Sequence, residues 1–217
     1  RDKLHYTYLG DRTEYDNTNI EEDKLRAFLK KKGYSTELIR RAINSLVAAS
    51  QLTDTKAANK AVYMLLRYGS SERENVSVQS QTVQFIDWKE PFENDFYIAE
   101  EVTVSGNHDK RPDIVLYING IAVAVLELKR STVSVSEGIR QNLDNQSDEF
   151  IRPFFSTMQL VMAGNDTEGL RYGVFETPAK FYMQWTEEGA DRATDDLSVK
   201  IRDLSENEGY KVDKHLI

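Results

Sequence analysis

Two carboxylates and one ammonium within a single segment have the types and spacing that metal-dependent chemistry needs. Asp113 comes just before one apolar run, and Glu127 and Lys129 end a second one. Because side chains of a strand alternate between its two faces, Glu127 and Lys129 point to the same face. Paired carboxylates can hold a divalent cation such as Mg²⁺, and the backbone carbonyl of Leu128 is a further candidate ligand. Lys129 can orient or deprotonate an attacking water and offset developing negative charge.

The turn between the two apolar runs brings these residues together. Asn119-Gly120 supplies the positive-φ residues of a two-residue hairpin, so the chain folds back and Asp113 approaches Glu127. Positions 121–126 are all apolar, as expected for a strand covered on both faces. Charges that continue such a strand are costly to bury unless they are paired or bind a metal, which favours a functional site over an ordinary solvated strand end.

The elements around this hairpin follow from the spacing of apolar residues. Helical spacing predicts one helix that opens with the capping-box pattern Asn19-Ile20-Glu21-Glu22 and stops at Gly33, and two more from about Thr36 and Asp54. A period of two then predicts strands at 82–88, 96–104, 113–119, 121–129, 158–163 and 170–176, with a helix at 134–150. This order predicts an α/β fold with a mixed central sheet.

Composition excludes several classes of protein. The chain has 217 residues, 40% hydrophobic and 29% charged, which is ordinary for a globular protein, and its lack of cysteine excludes disulfide frameworks and zinc–thiolate sites. No apolar run is long enough for a membrane helix and no signal peptide is visible, so we expect a cytoplasmic location without membrane contact. The net charge of −8 argues against a free-standing nucleic-acid binder, although basic residues flank the acids of the hairpin, namely Lys110, Arg111, Lys129 and Arg130.

The motif and its surroundings resemble a known nuclease family. Pro112-Asp113 followed by Glu127-Leu128-Lys129 resembles the PD-(D/E)xK nuclease signature. Wider segments are similar, in order, to the N-terminal nuclease domain of the restriction (motor) subunit of type I restriction-modification enzymes: 110–115, 119–121, 126–129, 162–165 and 170–173. The similarity runs from about Tyr6 to Trp185. It implies a PD-(D/E)xK restriction-endonuclease-like core, whose mixed sheet is flanked by helices and preceded by a helical N-terminal segment.

The resemblance also implies a function. It implies a Mg²⁺-dependent endonuclease that hydrolyses phosphodiester bonds of unmodified foreign double-stranded DNA, with Asp113, Glu127 and Lys129 in the catalytic positions. Specificity and methyltransferase subunits of a larger complex would be its partners. Glu22 matches a helix acid that often completes the metal site of this fold, and it is equally well explained as part of a helix cap.

DNA contacts are implied for the helix after the Glu127-Leu128-Lys129 strand. The family has a Gln-x-x-x-Tyr motif there, which Gln141 matches and in which Asn145 takes the place of the tyrosine. Asn145 can hydrogen-bond a phosphate or a sugar but cannot stack on a base. Together with the basic residues Lys110, Arg111 and Arg130, these two residues are the candidate DNA-binding set.

The resemblance divides the chain into four parts. These are a helical N-terminal part of the nuclease domain at 1–69, a loop at 70–81, the nuclease core at 82–185 and an acidic segment at 186–217 with a last helix near 197–204. No Gly-x-x-x-x-Gly-Lys-[Ser/Thr] sequence occurs, so ATP is expected only through a motor domain absent from these 217 residues.

Two other functions remain open from the sequence. One is a nuclease-fold module that has lost activity and only positions DNA or docks the motor and the other subunits. The other is a protein-interaction domain in which the motif is accidental. Metal-dependent nicking of plasmid DNA separates the nuclease from both.

Overall fold

A computed structural model describes residues 6–15 and 17–186. The helix predicted near 197–204 therefore lies outside the described residues. Residues Thr7–Trp185 cluster as one unit, and all the elements below belong to it. No helix in the described ranges is long and apolar enough to cross a membrane.

The described residues contain four α-helices, each with an amphipathic pattern. They are α1 (Glu22–Lys31), α2 (Thr36–Ser50), α3 (Thr55–Tyr68) and α4 (Val135–Asn145). The predicted starts of α2 and α3 are confirmed, because the side chains of Ser35 and Asp54 accept backbone N–H groups of the first turns.

The predicted capping box of α1 is wrong. The residue before this helix is Glu21, whose side chain makes no capping hydrogen bond. Asn19 instead donates from Nδ2 to the backbone carbonyl of Phe154 at 2.7 Å. The Asn19 side chain therefore makes a tertiary contact instead of the predicted helix cap.

The strands form a mixed sheet of seven and a separate two-stranded ribbon within the described ranges. They are β1 (Thr7–Asp11), β2 (Ser70–Glu72), β3 (Gln81–Val83), β4 (Phe96–Glu100), β5 (Ile114–Ile118), β6 (Ile121–Leu128), β7 (Leu160–Asn165), β8 (Gly169–Gly173) and β9 (Met183–Gln184). The large sheet has the order β1-β4-β5-β6-β7-β8-β9, with β1 parallel to β4, β6 parallel to β7 and all other neighbours antiparallel. The predicted α/β class with a mixed central sheet is confirmed.

The strand pattern differs from the prediction in several places. Strand β1 was not predicted, and β2 pairs with β3 across residues 70–83, which the sequence assigned largely to a loop. Of the strand predicted at 82–88, only the first two residues belong to a strand, β3. The strand predicted at 96–104 ends at Glu100 because Glu101 adopts a left-handed conformation with φ of 50°.

Strand β6 lies at the centre of the core, as its apolar run predicted. Ile121 and Val123 pack into the cluster that includes Leu25 and other buried residues of α1, α2 and α3. Val125 belongs to a second cluster with Phe155. Helix α4 covers the end of β6 and β7 through a third, smaller cluster. The strand that carries the candidate site is therefore covered on both faces.

The β5–β6 hairpin closes at Asn119-Gly120, with φ values of 54° and 89°. A Cβ at Gly120 would lie 2.8 Å from the backbone oxygen of Glu21, because the turn packs directly against the start of α1. The glycine is thus required both by its φ and by this close approach. The predicted two-residue turn is confirmed.

A β-bulge in β6 sets which residues of the hairpin face each other. Val123 is an extra residue, since its two neighbours pair with consecutive residues of β5. Beyond the bulge, Ile114 lies opposite Leu126, so Asp113 comes opposite Glu127. Without the extra residue, the same turn would place Asp113 opposite Leu126 and on the other face from Glu127. The bulge therefore puts the two acids on one face.

We expect Asn119→Ala to lower the free energy of unfolding by roughly 2–4 kcal/mol, since it leaves several buried polar groups unpaired. The buried Asn119 amide donates to the carbonyl of Phe85 and to Oδ1 of Asn94, each at 2.8 Å, and accepts from the N–H of Asp95 at 2.7 Å. Urea unfolding at an unchanged slope measures the loss. Asn75→Ala in an exposed loop is the control, and an equal effect of both changes would contradict the prediction.

Candidate active site

The hairpin and α4 bring together the residues that the sequence singled out at the end of β6. Asp113 Oδ2 accepts the backbone N–H of Leu128 at 2.7 Å, which fixes this carboxylate against β6. Lys129 Nζ donates to Glu127 Oε1 at 2.8 Å and to Gln141 Oε1 at 2.7 Å. Two carboxylates, one ammonium and one amide thus share a single site.

The main chain on the β4 side holds Asp113 in place. The N–H of Glu101 donates to the carbonyl of Asp113 at 2.9 Å, and Glu101 adopts the left-handed conformation that ends β4. Its carboxylate accepts from Nε of Arg111 at 2.7 Å. Arg111, a candidate DNA contact, is therefore half-exposed and already paired with an acid.

Glu127 is buried, with one carboxylate oxygen left unpartnered. The residue is 1% exposed, Oε1 accepts from Lys129, and Oε2 has no hydrogen-bond partner. Burial raises the pKa of Glu127 to about 6, the hydrogen bond from Lys129 opposes this shift, and the charge of Asp113 adds to it. A buried, unpaired oxygen beside a second carboxylate is costly in the absence of a cation, and this arrangement fits a divalent metal.

The donor set favours a hard cation that keeps much of its own hydration. Among the described residues, no group of three or more acidic or histidine side chains gathers around one point. Asp113 and Glu127 are the two carboxylates that the hairpin brings to this site. Mg²⁺ is commonly bound by one or two carboxylates, with waters and substrate oxygens completing its octahedron. The role of the Leu128 carbonyl as a ligand stays a prediction.

We expect the stability advantage of Glu127→Gln over the wild type to grow by about 2 kcal/mol between pH 4.5 and pH 7.5 in the presence of EDTA. The pKa of Glu127 is about 6 in the folded state and 4.5 ordinarily. Between these two pH values, the folded state therefore binds a proton that the unfolded state has released. That stabilising contribution is present below pH 4.5 and is lost as the pH rises through 6.

Urea unfolding at several pH values measures this difference. Glu74→Gln, which changes an exposed glutamate, should show no comparable trend. A constant difference between Glu127→Gln and the wild type across this range would mean that burial does not raise the pKa.

An open groove adjoins the site on the side of α4. Its volume is about 580 Å³, and its lining includes Lys110, Lys129, Gln141, Asn145 and Phe150. Lys110 Nζ lies 3.8 Å from the centre of the Phe150 ring. The groove therefore gathers two of the predicted cations and both residues of the predicted Gln-x-x-x-Asn pair.

Asn145 lines this groove, whereas Arg130 is not one of its lining residues. Asn145 is 2% exposed, and its Oδ1 is buried without a hydrogen-bond partner. Arg130 follows Lys129 directly and is exposed. Phe150 was not among the predicted site residues, because an aromatic residue at the end of a predicted helix is typical of core packing. Its proximity to Lys110 depends on tertiary contacts of the loop at 105–110.

The structure corrects the assignment of Glu22 as a metal ligand. Ile20, two residues earlier, pairs with Ile121 at the start of β6, whereas Glu127 lies near its end. Six residues of strand separate these ends by about 20 Å. Glu22 is exposed, pairs with Arg26 at 3.5 Å and borders a different cleft of about 610 Å³. Its place at the opposite end of the strand explains why it cannot join Glu127.

Comparison with known proteins gives two matches. A family model described as the N terminus of the type I restriction enzyme R protein matches residues 2–180. A protein of Methanocaldococcus jannaschii, named as the MjaIXP endonuclease subunit of a type I restriction enzyme, is 23% identical over 210 residues. The alignment covers 93% of this chain and 20% of that relative, so the chain spans about a fifth of the relative's length.

Proposed function

Because the chain belongs to the family of type I restriction enzyme R protein N termini, we propose that it is a metal-dependent DNA endonuclease domain with a PD-(D/E)xK core. The observation that carries this proposal is the pairing of Asp113 with Glu127, whose buried Oε2 has no partner, beside the ammonium of Lys129. The mixed seven-stranded sheet supports the same interpretation.

Asp113 and Glu127 would hold Mg²⁺, with the carbonyl of Leu128 as a third candidate ligand. A bound Mg²⁺ supplies Lewis-acid polarisation of the scissile phosphate and a coordinated water of lowered pKa. Asp113 is held in position by the N–H of Leu128, so its charge need not be reoriented when DNA arrives. Glu127 is held in turn by Lys129.

Lys129 is placed to stabilise the negative charge that builds on the phosphate during hydrolysis. As an ammonium it has three N–H donors, and two of them are directed at Glu127 and Gln141. The third N–H of the ammonium takes part in neither of these hydrogen bonds. Gln141, which holds Lys129 from α4, borders the groove that adjoins the site. We therefore assign Lys129 to charge stabilisation and Gln141 to the DNA-facing side.

The groove supplies a path for a DNA backbone. Lys110, Lys129 and Arg140 line it, whereas Asn145 is 2% exposed with a buried Oδ1, so we do not assign it a contact with DNA. Glu137 and Asp144 line it too, and the whole chain carries a net charge of −8, so we expect the domain to bind DNA weakly by itself. We propose that specificity and methyltransferase subunits deliver double-stranded DNA to it, and that ATP acts through a motor region outside these residues.

Cleavage of supercoiled plasmid by the full-length enzyme with its partner subunits tests this function. We expect nicking and linearisation with Mg²⁺ and none in EDTA, because no side chain of the site replaces the metal. Cleavage that persists in EDTA would contradict the metal dependence. A folded complex that hydrolyses ATP but never cuts in Mg²⁺ would instead support an inactive module that only positions DNA.

A further inference from the structure

We infer that Gly138 is a positioning residue for Lys129, because its missing side chain lets α4 approach the end of β6 closely enough for Gln141 to hold the lysine. This inference rests on the proposed function, since the lysine is the group that would stabilise charge on the phosphate. Gly138 lies in the second turn of α4 and is buried.

The space at Gly138 admits a methyl group only if its neighbours shift by a few tenths of an ångström. A Cβ built there would lie 3.0 Å from Cβ of Ala163, 3.4 Å from Cγ of Lys129 and 3.6 Å from Cγ of Glu127. Ala163 has no rotatable side chain, so its contact is relieved only when α4 or β7 moves. Glycine inside a helix costs about 1 kcal/mol relative to alanine, so its presence here needs a packing reason.

The contact acts directly on the candidate site. Ala163 pairs with Glu127 across the β6–β7 ladder, so Gly138 rests over the strand position next to the buried acid. Gln141 follows three residues later on the same helix and accepts from Lys129 Nζ at 2.7 Å. A shift of α4 by a few tenths of an ångström therefore changes the distance between the Gln141 amide and the Lys129 ammonium.

A second anchor keeps α4 from simply sliding along the sheet. Asn142 Nδ2 donates to the buried backbone carbonyl of Met162 at 2.8 Å, and this residue is adjacent to Ala163 in β7. With this hydrogen bond kept, a Cβ at Gly138 tilts the first part of the helix away from Ala163 and the sheet rather than shifting it to a new register. Gln141 is then drawn away from Lys129, and the lysine has only Glu127 as a fixed partner.

The test is a double-mutant cycle between Gly138→Ala and Ala163→Gly in the full-length enzyme with its partner subunits. Gly138→Ala should lower the cleavage rate at saturating DNA by about tenfold or more, with the DNA affinity unchanged within about twofold. Ala163→Gly removes the methyl group that the new Cβ meets. The double variant should therefore cleave within about threefold of Ala163→Gly alone.

Rescue is a readout that general destabilisation would not give, because Ala163→Gly by itself only removes packing. Should Gly138→Ala prove too unstable to purify, a folded double variant that cleaves more than about tenfold slower than Ala163→Gly alone would overturn the inference. Wild-type cleavage by Gly138→Ala, or a folded double variant as slow as Gly138→Ala, would overturn the inference.

A readout independent of cleavage separates this inference from the proposed function. Pulsed acetylation followed by mass spectrometry measures how freely Lys129 reacts, and we expect slow labelling in the wild type because two acceptors hold the ammonium. Labelling should be severalfold faster in Gly138→Ala and slow again in the double variant. Unchanged labelling would overturn the positioning role, whereas the expected pattern in an enzyme that never cuts would reject only the nuclease function.

Discussion

Asp113→Asn should reduce DNA cleavage by the full-length enzyme at least about a thousandfold, which corresponds to about 4 kcal/mol of lost transition-state stabilisation. Asparagine keeps an oxygen that can accept the N–H of Leu128, so the local fold is preserved while the charge is lost. ATP hydrolysis, which we propose for a motor region outside these residues, should continue, because the proposed metal ligands would serve only phosphodiester hydrolysis. Plasmid cleavage and ATPase rates of the same preparation measure the two effects.

Asp23→Asn is the matched control for this prediction. It makes the same charge change at an exposed position in α1, whose start lies near the opposite end of β6 from the site, and should leave cleavage within about twofold of wild type. Wild-type cleavage by a folded Asp113→Asn enzyme would remove the basis for placing the metal between Asp113 and Glu127.

Lys129→Met should reduce the cleavage rate by about a hundredfold to a thousandfold without weakening Mn²⁺ binding, since a protonated lysine stabilises charge but cannot be a metal ligand. Methionine retains an aliphatic stem of similar length next to α4. Removing the ammonium also leaves Glu127 with an uncompensated buried charge, so the folded fraction is checked first by circular dichroism. Calorimetry with Mn²⁺ and a cleavage assay separate metal binding from hydrolysis.

Lys60→Met on the exposed face of α3 is the control for the loss of one positive charge. It should leave both cleavage and Mn²⁺ binding unchanged within about twofold. A folded Lys129→Met protein that no longer binds Mn²⁺ would mean that the lysine contributes to assembling the metal site, and its assigned role would be wrong.

Local signals in the sequence were enough to predict the hairpin and most of the helices. Asn119-Gly120 closes the turn with two positive φ values, and Asp54 caps α3, because both features depend only on neighbouring residues. The position of Gln141 near the site could also be anticipated, since its helix follows directly from the strand that carries Glu127, but its hydrogen bond with Lys129 was not predicted.

Features that depend on distant parts of the chain could not be predicted in this way. Strand β1 is short, contains Gly10 and is defined by its pairing with β4, about ninety residues later. Glu22 has the right residue type for a ligand, but nothing near it in sequence says which end of β6 its helix will meet. The bond between Asn19 and the carbonyl of Phe154 likewise spans 135 positions, which is why a local cap was expected there.

The bulge at Val123 has a consequence for how such sites are found in other sequences. A two-residue turn with regular pairing would place Asp113 opposite Leu126, a separation of 13 positions (126 − 113), whereas the bulged strand gives 14 (127 − 113). The spacing between the two acids is thus coupled to turn length and bulge number rather than free to vary. A search pattern with one fixed number of residues between the two acids would overlook hairpins that place the acids together through a different turn or bulge. A pattern that matches each separation to the turn and bulge it requires would find these hairpins and discard chance matches.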